Sequence, residues 1–253
     1  MDILIRTITQ NAPLLLNAVL TTLIGSLLSI VLAMILAVPT AFARLTKNVL
    51  LRSVSTFYVE TIRGTPLLLQ LLTWFFGARL LLLYLFNFNA DTAIYNLLTA
   101  LNSNSLFPTS TGVSNIFFAV VGLSFNYGAY LSEVIRAGIE AVDHGQTEAA
   151  QALGLSRLEI ARYVTLPQAL RIMAPPLTNN FITLIQDSAF WQVLGVFELS
   201  LQVYTLSAAI SNSLIRWGLY GMELAIYFVL CYSLAFASSR IEARLSRGVV
   251  GAN

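Results

Sequence analysis

A single lysine, a single histidine and a single cysteine occur in 253 residues, and each scarcity removes a class of function. A P-loop needs a lysine on nucleotide phosphates inside a glycine-rich turn. Lys47 lies in Ala43-Arg44-Leu45-Thr46-Lys47 with no glycine near it, so this chain is not expected to hydrolyse ATP. A His-based triad has only His144 to draw on, and a clustered His/Cys metal site is not available. His144 stands between Asp143 and Gly145 and reads as a solvated turn residue. Cys231 has no intrachain partner and reads as a small buried hydrophobe. Charge is also scarce: charged residues make up 10% of the chain, and the net charge of +2 gathers into no polybasic tract, which leaves nucleic-acid binding without a basis.

What is abundant is apolar sequence. Hydrophobic residues make up 57% of the chain and mean hydropathy is +0.76, so lipid is the expected solvent. Five stretches reach the roughly 20 helical residues that a bilayer requires: about 14–42, 66–86, 114–135, 168–196 and 217–239. The expectation is therefore an all-α polytopic membrane protein, one transmembrane domain over 1–253, with an amphipathic lead-in from Val49 to Ile62. Arg44, Lys47 and Arg52 follow the first crossing, Arg157, Arg162 and Arg171 follow the third, and Arg240, Arg244 and Arg247 follow the fifth. Basic loops stay in the cytoplasm, so this bias sets the N-terminus outside and the C-terminus inside. The segment Asn87–Val113 has no Lys or Arg and belongs outside, as a polar loop with a short helix around Thr92–Leu101.

The cytoplasmic stretch from about 141 to 167 is Ala-rich and helix-favouring rather than linker-like. Ala149, Ala152 and Leu153 share a face with Glu148 and Gln151 beside it, Gly145 precedes them, Gly154 gives a stop without a Cβ, and Leu166-Pro167 opens the next crossing. Residue chemistry leaves two readings: an amphipathic helix resting on its own bundle, or a docking helix for a partner.

The spacing Glu148-Ala149-Ala150, three residues, Gly154, nine residues, Val164, one residue, Leu166-Pro167 resembles the EAA loop of bacterial ATP-binding-cassette importer permeases, with Val where Ile is usual. Tyr58-Val59-Glu60-Thr61-Ile62-Arg63-Gly64-Thr65-Pro66-Leu67-Leu68 and Tyr130-Leu131-Ser132-Glu133-Val134-Ile135-Arg136-Ala137-Gly138-Ile139 are similar to stretches of the polar amino-acid permeases, the histidine/glutamine/glutamate type. The resemblance implies a type I importer permease fold in the bacterial inner membrane. It implies two ATPase subunits that carry ATP and Mg, with no cofactor in this chain. It also implies a second permease, identical or homologous, an outer substrate-binding protein and an amino-acid cargo. Gly145, Glu148, Ala149, Ala150, Gly154, Leu166 and Pro167 are then the residues expected to couple to the ATPase.

Polar side chains at membrane depth are functional candidates by default. Glu60 and Arg63, and Glu133 and Arg136, repeat a three-residue spacing, so each pair shares a helix face as a salt bridge or as substrate contacts. Gly64-Thr65-Pro66 should unwind the chain beside the first pair. Asn179, Asn180, Thr183, Gln186 and Asp187 form a stripe after a break expected at Pro175-Pro176, either lining a pathway or bonding neighbouring helices. Related permeases carry an acidic residue at Asn180 and K-D-[ST]-[ST]-L at Gln186-Asp187-Ser188-Ala189-Phe190, so the resemblance implies a less charged pocket here. A secondary carrier or channel is the alternative, although it needs no such cytoplasmic loop.

Overall fold

The computed structural model describes residues 2–87, 89, 91–94, 96 and 113–246, and every regular element among them is helical. In order these are α1 (Asp2–Gln10), α2 (Ala12–Leu45), α3 (Val49–Arg63), α4 (Leu67–Phe86), α5 (Val113–Glu140), α6 (His144–Ala152), α7 (Leu166–Asp187), α8 (Leu199–Ala208) and α9 (Ser213–Ser246). Within α4 the stretch Thr73–Ala78 widens into a π turn, and a second π stretch, Ile160–Thr165, runs directly into α7. Residues 91–94 are helical, and 97–101 of the short outer helix expected there lie outside the described residues.

Small side chains set the core. Gly25, Ser29, Ala33, Ala37 and Ala41 recur every fourth residue and are all buried, giving α2 one flat face. Lipid supplies no hydrophobic drive between helices, so association depends on close backbone approach. That approach occurs against α5. A Cβ on Gly128 would meet Leu36 at 3.0 Å and the Ala33 carbonyl at 3.5 Å. Across the seam the Ser124 hydroxyl donates to Ser29 O at 3.3 Å and, within its own helix, to Val120 O at 2.6 Å. Further along α2, Gly25 opens the space that Trp191 fills; a Cβ there would fall 2.6 Å from the indole.

Four helices among the described residues are long and apolar enough to cross a membrane: Ala12–Leu45, Leu67–Phe86, Ser114–Glu140 and Ser213–Arg240. The fourth expected crossing, 168–196, falls on α7, a 22-residue helix that does not reach that apolarity because it carries two Asn, Thr, Gln and Asp. The break expected at Pro175-Pro176 is not made. Both prolines sit inside a continuous helix, on an exposed face. The chain ends this rod in a 3-10 segment, Ser188–Leu194, which stops at Gly195 with φ +71°. An element not expected from hydropathy is α1, whose Leu4 and Ile8 pack with Leu15, Leu199, Val203 and Leu219.

Because Gly25 has no room for a side chain, Gly25→Val should force Trp191 out of place. We expect about 1–3 kcal/mol of destabilisation, read as a lower thermal midpoint of the detergent-solubilised protein.

Candidate functional site

The sequence breaks a helix at Gly64-Thr65-Pro66, and the structure shows how the break is held. Gly64 caps α3, with its N–H bonded to Glu60 O, and Pro66 opens α4 in an extended conformation. The carbonyls freed at the break are then satisfied by one side chain. Gln70 Nε2 donates to Ile62 O at 2.7 Å, Thr65 O at 3.0 Å and Thr65 Oγ1 at 2.8 Å. Its own Oε1 accepts from Asn126 Nδ2 of α5 at 2.8 Å, and both amides are buried. Buried polar groups are costly unless paired, so this pair of amides fixes the break against α5.

Depth follows from the charges at the ends of α5. Ser114 accepts from Arg79 Nη2 at 2.8 Å, and Glu133 is bonded to Arg44. These two positions are about 28 Å apart along the helix, close to a hydrocarbon core of about 30 Å. Asn126 and Tyr127 stand between them, about 18 Å from the first and about 10 Å from the second. There Thr65, Leu67, Asn126, Tyr127, Tyr130, Asn180, Thr183 and Asp187 line a cavity of about 210 Å³. Its carboxylate, Asp187, accepts from the Tyr127 hydroxyl at 2.7 Å and has no ion-pair partner among the described residues.

The stripe expected on α7 is therefore divided. Asn180, Thr183 and Asp187 face this cavity, with Asn180 Nδ2 bonded to Pro176 O at 2.8 Å. Gln186 lies on the other side, in a groove shared with Glu223 and Tyr227 of α9. Asn179 is exposed and is not in the cavity lining. A spacing of three, four and seven identified one helix face, but α7 is a wall with two polar sides.

The two expected charge pairs also differ. Glu133 and Arg136 do pair, at 2.5 Å, and Glu133 is further bonded to Arg44 and Arg136 to Glu140. Glu60 and Arg63 do not pair. Glu60 turns to Arg44 at 3.8 Å, and the Arg63 guanidinium lies over the Tyr130 ring at 5.8 Å. The physical reason is competition: Arg44 is nearly buried at the end of α2 and draws carboxylates from both α3 and α5. Sequence reading placed Arg44 only as a topology marker, and missed Tyr127, Asn126, Gln70 and Glu198. Glu198 is fully buried, caps α8 through Leu201 N–H at 2.9 Å and accepts from Tyr227 at 3.2 Å and from Thr22 at 3.4 Å. A glutamate three residues past a helix-ending glycine is the one signal that pointed to it.

Between α5 and α7, Asp143 caps α6 by accepting from Gly145 N–H at 2.8 Å, and His144 is the first residue of that helix rather than part of a turn. Glu148, Ala149 and Gly154 are exposed, whereas Ala150 is buried beneath them. Gly154 has φ +81° with nothing within 4 Å of a Cβ, which ends the helix in a left-handed turn. Leu153 and Leu158 beside it are 83% and 78% exposed. Ser156 and Glu159 then form a capping box, and the Ser156 hydroxyl holds the Glu159 carboxyl below its usual range. The contribution of that cap is present above the ordinary carboxylate range and is lost as pH falls through the depressed value. Leu166 and Pro167 lie in the first turn of α7, Leu166 exposed, and the Ile160–Thr165 stretch enters α7 without a break.

An all-helical chain with a polar cavity beside a broken helix and a helical loop between two long helices has the architecture of a solute permease. The chain belongs to the family described as the binding-protein-dependent transport system inner membrane component, whose model matches residues 29–247. It is 35% identical to the L-cystine transport system permease protein TcyB of Bacillus subtilis, covering 94% of this chain and 88% of that one. It is 31% identical to the glutamine transport system permease protein GlnP of Escherichia coli, covering 92% and 93%. A solved amino acid ABC transporter with histidines matches at 30% identity with a TM-score of 0.76, over 94% of this chain and 96% of that one. A methionine ABC transporter, MetNI, in an inward-facing conformation shares the fold at a TM-score of 0.65 and 20% identity. The chain is thus a transport component and not a catalytic one; the ATPase of such systems is a separate subunit.

Asn126→Leu should leave the Gln70 carboxamide oxygen buried and unpaired, at a cost of about 1–3 kcal/mol. Faster proteolysis at residues 62–67 and a lower melting temperature in detergent would report the loosened break.

Proposed function

We propose that this chain is the permease subunit of an ATP-driven importer of amino acids. A second permease chain, two ATPase subunits and an outer substrate-binding protein complete the assembly. ATP and Mg are held by the ATPases alone. The N-terminus lies outside and the C-terminus in the cytoplasm, with α7 as the fourth of five crossings. The observation that carries this reading is α6: a capped helix between α5 and α7 that exposes Glu148, Ala149 and Leu153 and is tied at both ends to membrane-embedded rods.

Such a helix transmits rigid-body displacement, because capping residues stiffen both of its junctions. Gly145, Glu148, Ala149, Ala150, Gly154, Leu166 and Pro167 are the coupling residues of this mechanism. Glu148 and Ala149 meet the ATPase, Ala150 seats the helix on its own chain, and Gly154 makes the turn. Displacement of α6 moves α5 and α7 together, and these two helices form opposite walls of the cavity. Asn180, Thr183 and Asp187 then contact the substrate, joined by Tyr127 and Asn126. Asp187 is the partner for an ammonium group, and the amides and hydroxyls are donors for a carboxylate. Glu133 and Arg136 with Arg44 and Glu60 form the inner ion network, and Arg63 lies at the cavity edge over Tyr130. Cystine, arginine and glutamine systems among the relatives support an amino-acid cargo.

The test is uptake in proteoliposomes holding the whole complex. Replacing Glu148 with Ala together with Gly154 by Val should abolish ATP-dependent uptake while membrane insertion persists. Normal uptake in that double variant, or transport without any ATPase, would remove the coupling reading. Asp187→Asn should reduce uptake at least tenfold with binding-protein-independent ATP hydrolysis retained, a size expected for losing a charge-assisted contact of about 1.5–3 kcal/mol. Uptake equal to wild type in D187N would sink its role as the ammonium partner.

A further inference from the structure

Outside the cavity and α6, one concavity combines aromatic side chains with an unpaired cation. It lies where α8 turns back into α9. Tyr204, Ser207 and Ala208 are spaced i, i+3, i+4 on α8, and Ser213, Arg216, Trp217 and Tyr220 are spaced i, i+3, i+4, i+7 on α9. Together they line a pocket of about 400 Å³. The two walls are rigidly joined. Ser207 and Tyr220 hydroxyls bond at 2.9 Å on its floor, and Val203 packs with Leu219 beneath it. Asn212 Oδ1 caps α9 by accepting from Leu214 N–H at 2.9 Å and Ile215 N–H at 3.3 Å, which fixes the first turn that carries Arg216.

The rim is open. Trp217 is 75% exposed and Tyr204 56%. Arg216 is exposed too, and it forms no ion pair among the described residues. It is also the only basic residue between 197 and 217. Basic residues are sparse in outer loops, so an outward arginine framed by Trp and Tyr calls for an explanation. Trp, Tyr and Arg are the residues that dominate binding energy at protein interfaces, and a rim charge sets encounter rate and partner choice.

We propose that this pocket is a docking point for the substrate-binding protein, which presents an acidic side chain to Arg216 between Tyr204 and Trp217. Two observations select that occupant. The family is binding-protein-dependent, so its soluble partner must reach the permease from outside. The pocket stands at the outer ends of α8 and α9, given the topology proposed above, on which this inference rests. A lipid headgroup is the competing occupant, since aromatic belts also sit at membrane interfaces.

The test uses the complete permease–ATPase complex in nanodiscs and the binding protein purified from the same source. ATP hydrolysis is measured against binding-protein concentration. Arg216→Glu should raise the half-saturating concentration about tenfold, with the full rate regained at saturation and Arg216→Lys near wild type. The wild-type half-saturating concentration should rise with salt, and that of R216E should not. Trp217→Ala, which keeps the charge, should raise it several-fold. An unchanged half-saturating concentration in both R216E and W217A overturns the proposal. So does a change in R216E that vanishes when anionic lipid is left out of the nanodisc, which would assign the pocket to lipid. Loss of hydrolysis at every concentration in wild type would instead count against the importer reading itself.

Discussion

The seam between α2 and α5 is the constraint on which the rest of the molecule depends. In lipid, leucine on leucine gains little over leucine on acyl chain, so two helices stay together only where their backbones come close. Small residues every fourth position on α2 allow that closeness, and Gly128 receives it. Everything else is placed by reference to this pair. Tyr58 donates to the Phe125 carbonyl at 2.5 Å beside Gly128, which seats α3. Trp191 fills the gap over Gly25, which seats the 3-10 end of the α7 rod. Arg44 leaves the C-terminal end of α2 and gathers Glu60 and Glu133.

Once the seam is set, the polar features at membrane depth become affordable. A helix break in hydrocarbon exposes carbonyls that only protein can satisfy. Gln70 satisfies them here, and Asn126 holds Gln70, so the break costs little and leaves an unobstructed polar cavity beside it. The same logic explains α7. Its helix tolerates an inner pair of prolines and a high share of polar side chains because one polar side meets α5 while the other meets α9. That wall-like position makes α7 a helix that borders two polar spaces and continues without interruption from the Ile160–Thr165 stretch.

Much of the architecture was legible in the chain. Apolar run length gave four helices long enough to cross, because bilayer thickness fixes that length. Gly64-Thr65-Pro66 marked a real break, and Gly154 a real left-handed turn. The small-residue repeat from Gly25 to Ala41 was equally visible as a pattern, yet it carries no hydropathy signal and passes unnoticed within a uniformly apolar run. The Pro175-Pro176 pair misled for a different reason: two lost backbone bonds on an exposed helix face are tolerated when the helix is packed along its other sides.

The sequence by itself determined the solvent, the places of four apolar rods and the helical loop between α5 and α7, since these follow from local composition and from spacing along one helix. Only the tertiary structure decided which polar side chains meet. Asp187 faces Tyr127 while its neighbour Gln186 faces Glu223, and Glu60 leaves Arg63 for Arg44. Those choices depend on helix rotation about the α2–α5 seam, a long-range property that no spacing within a single helix encodes.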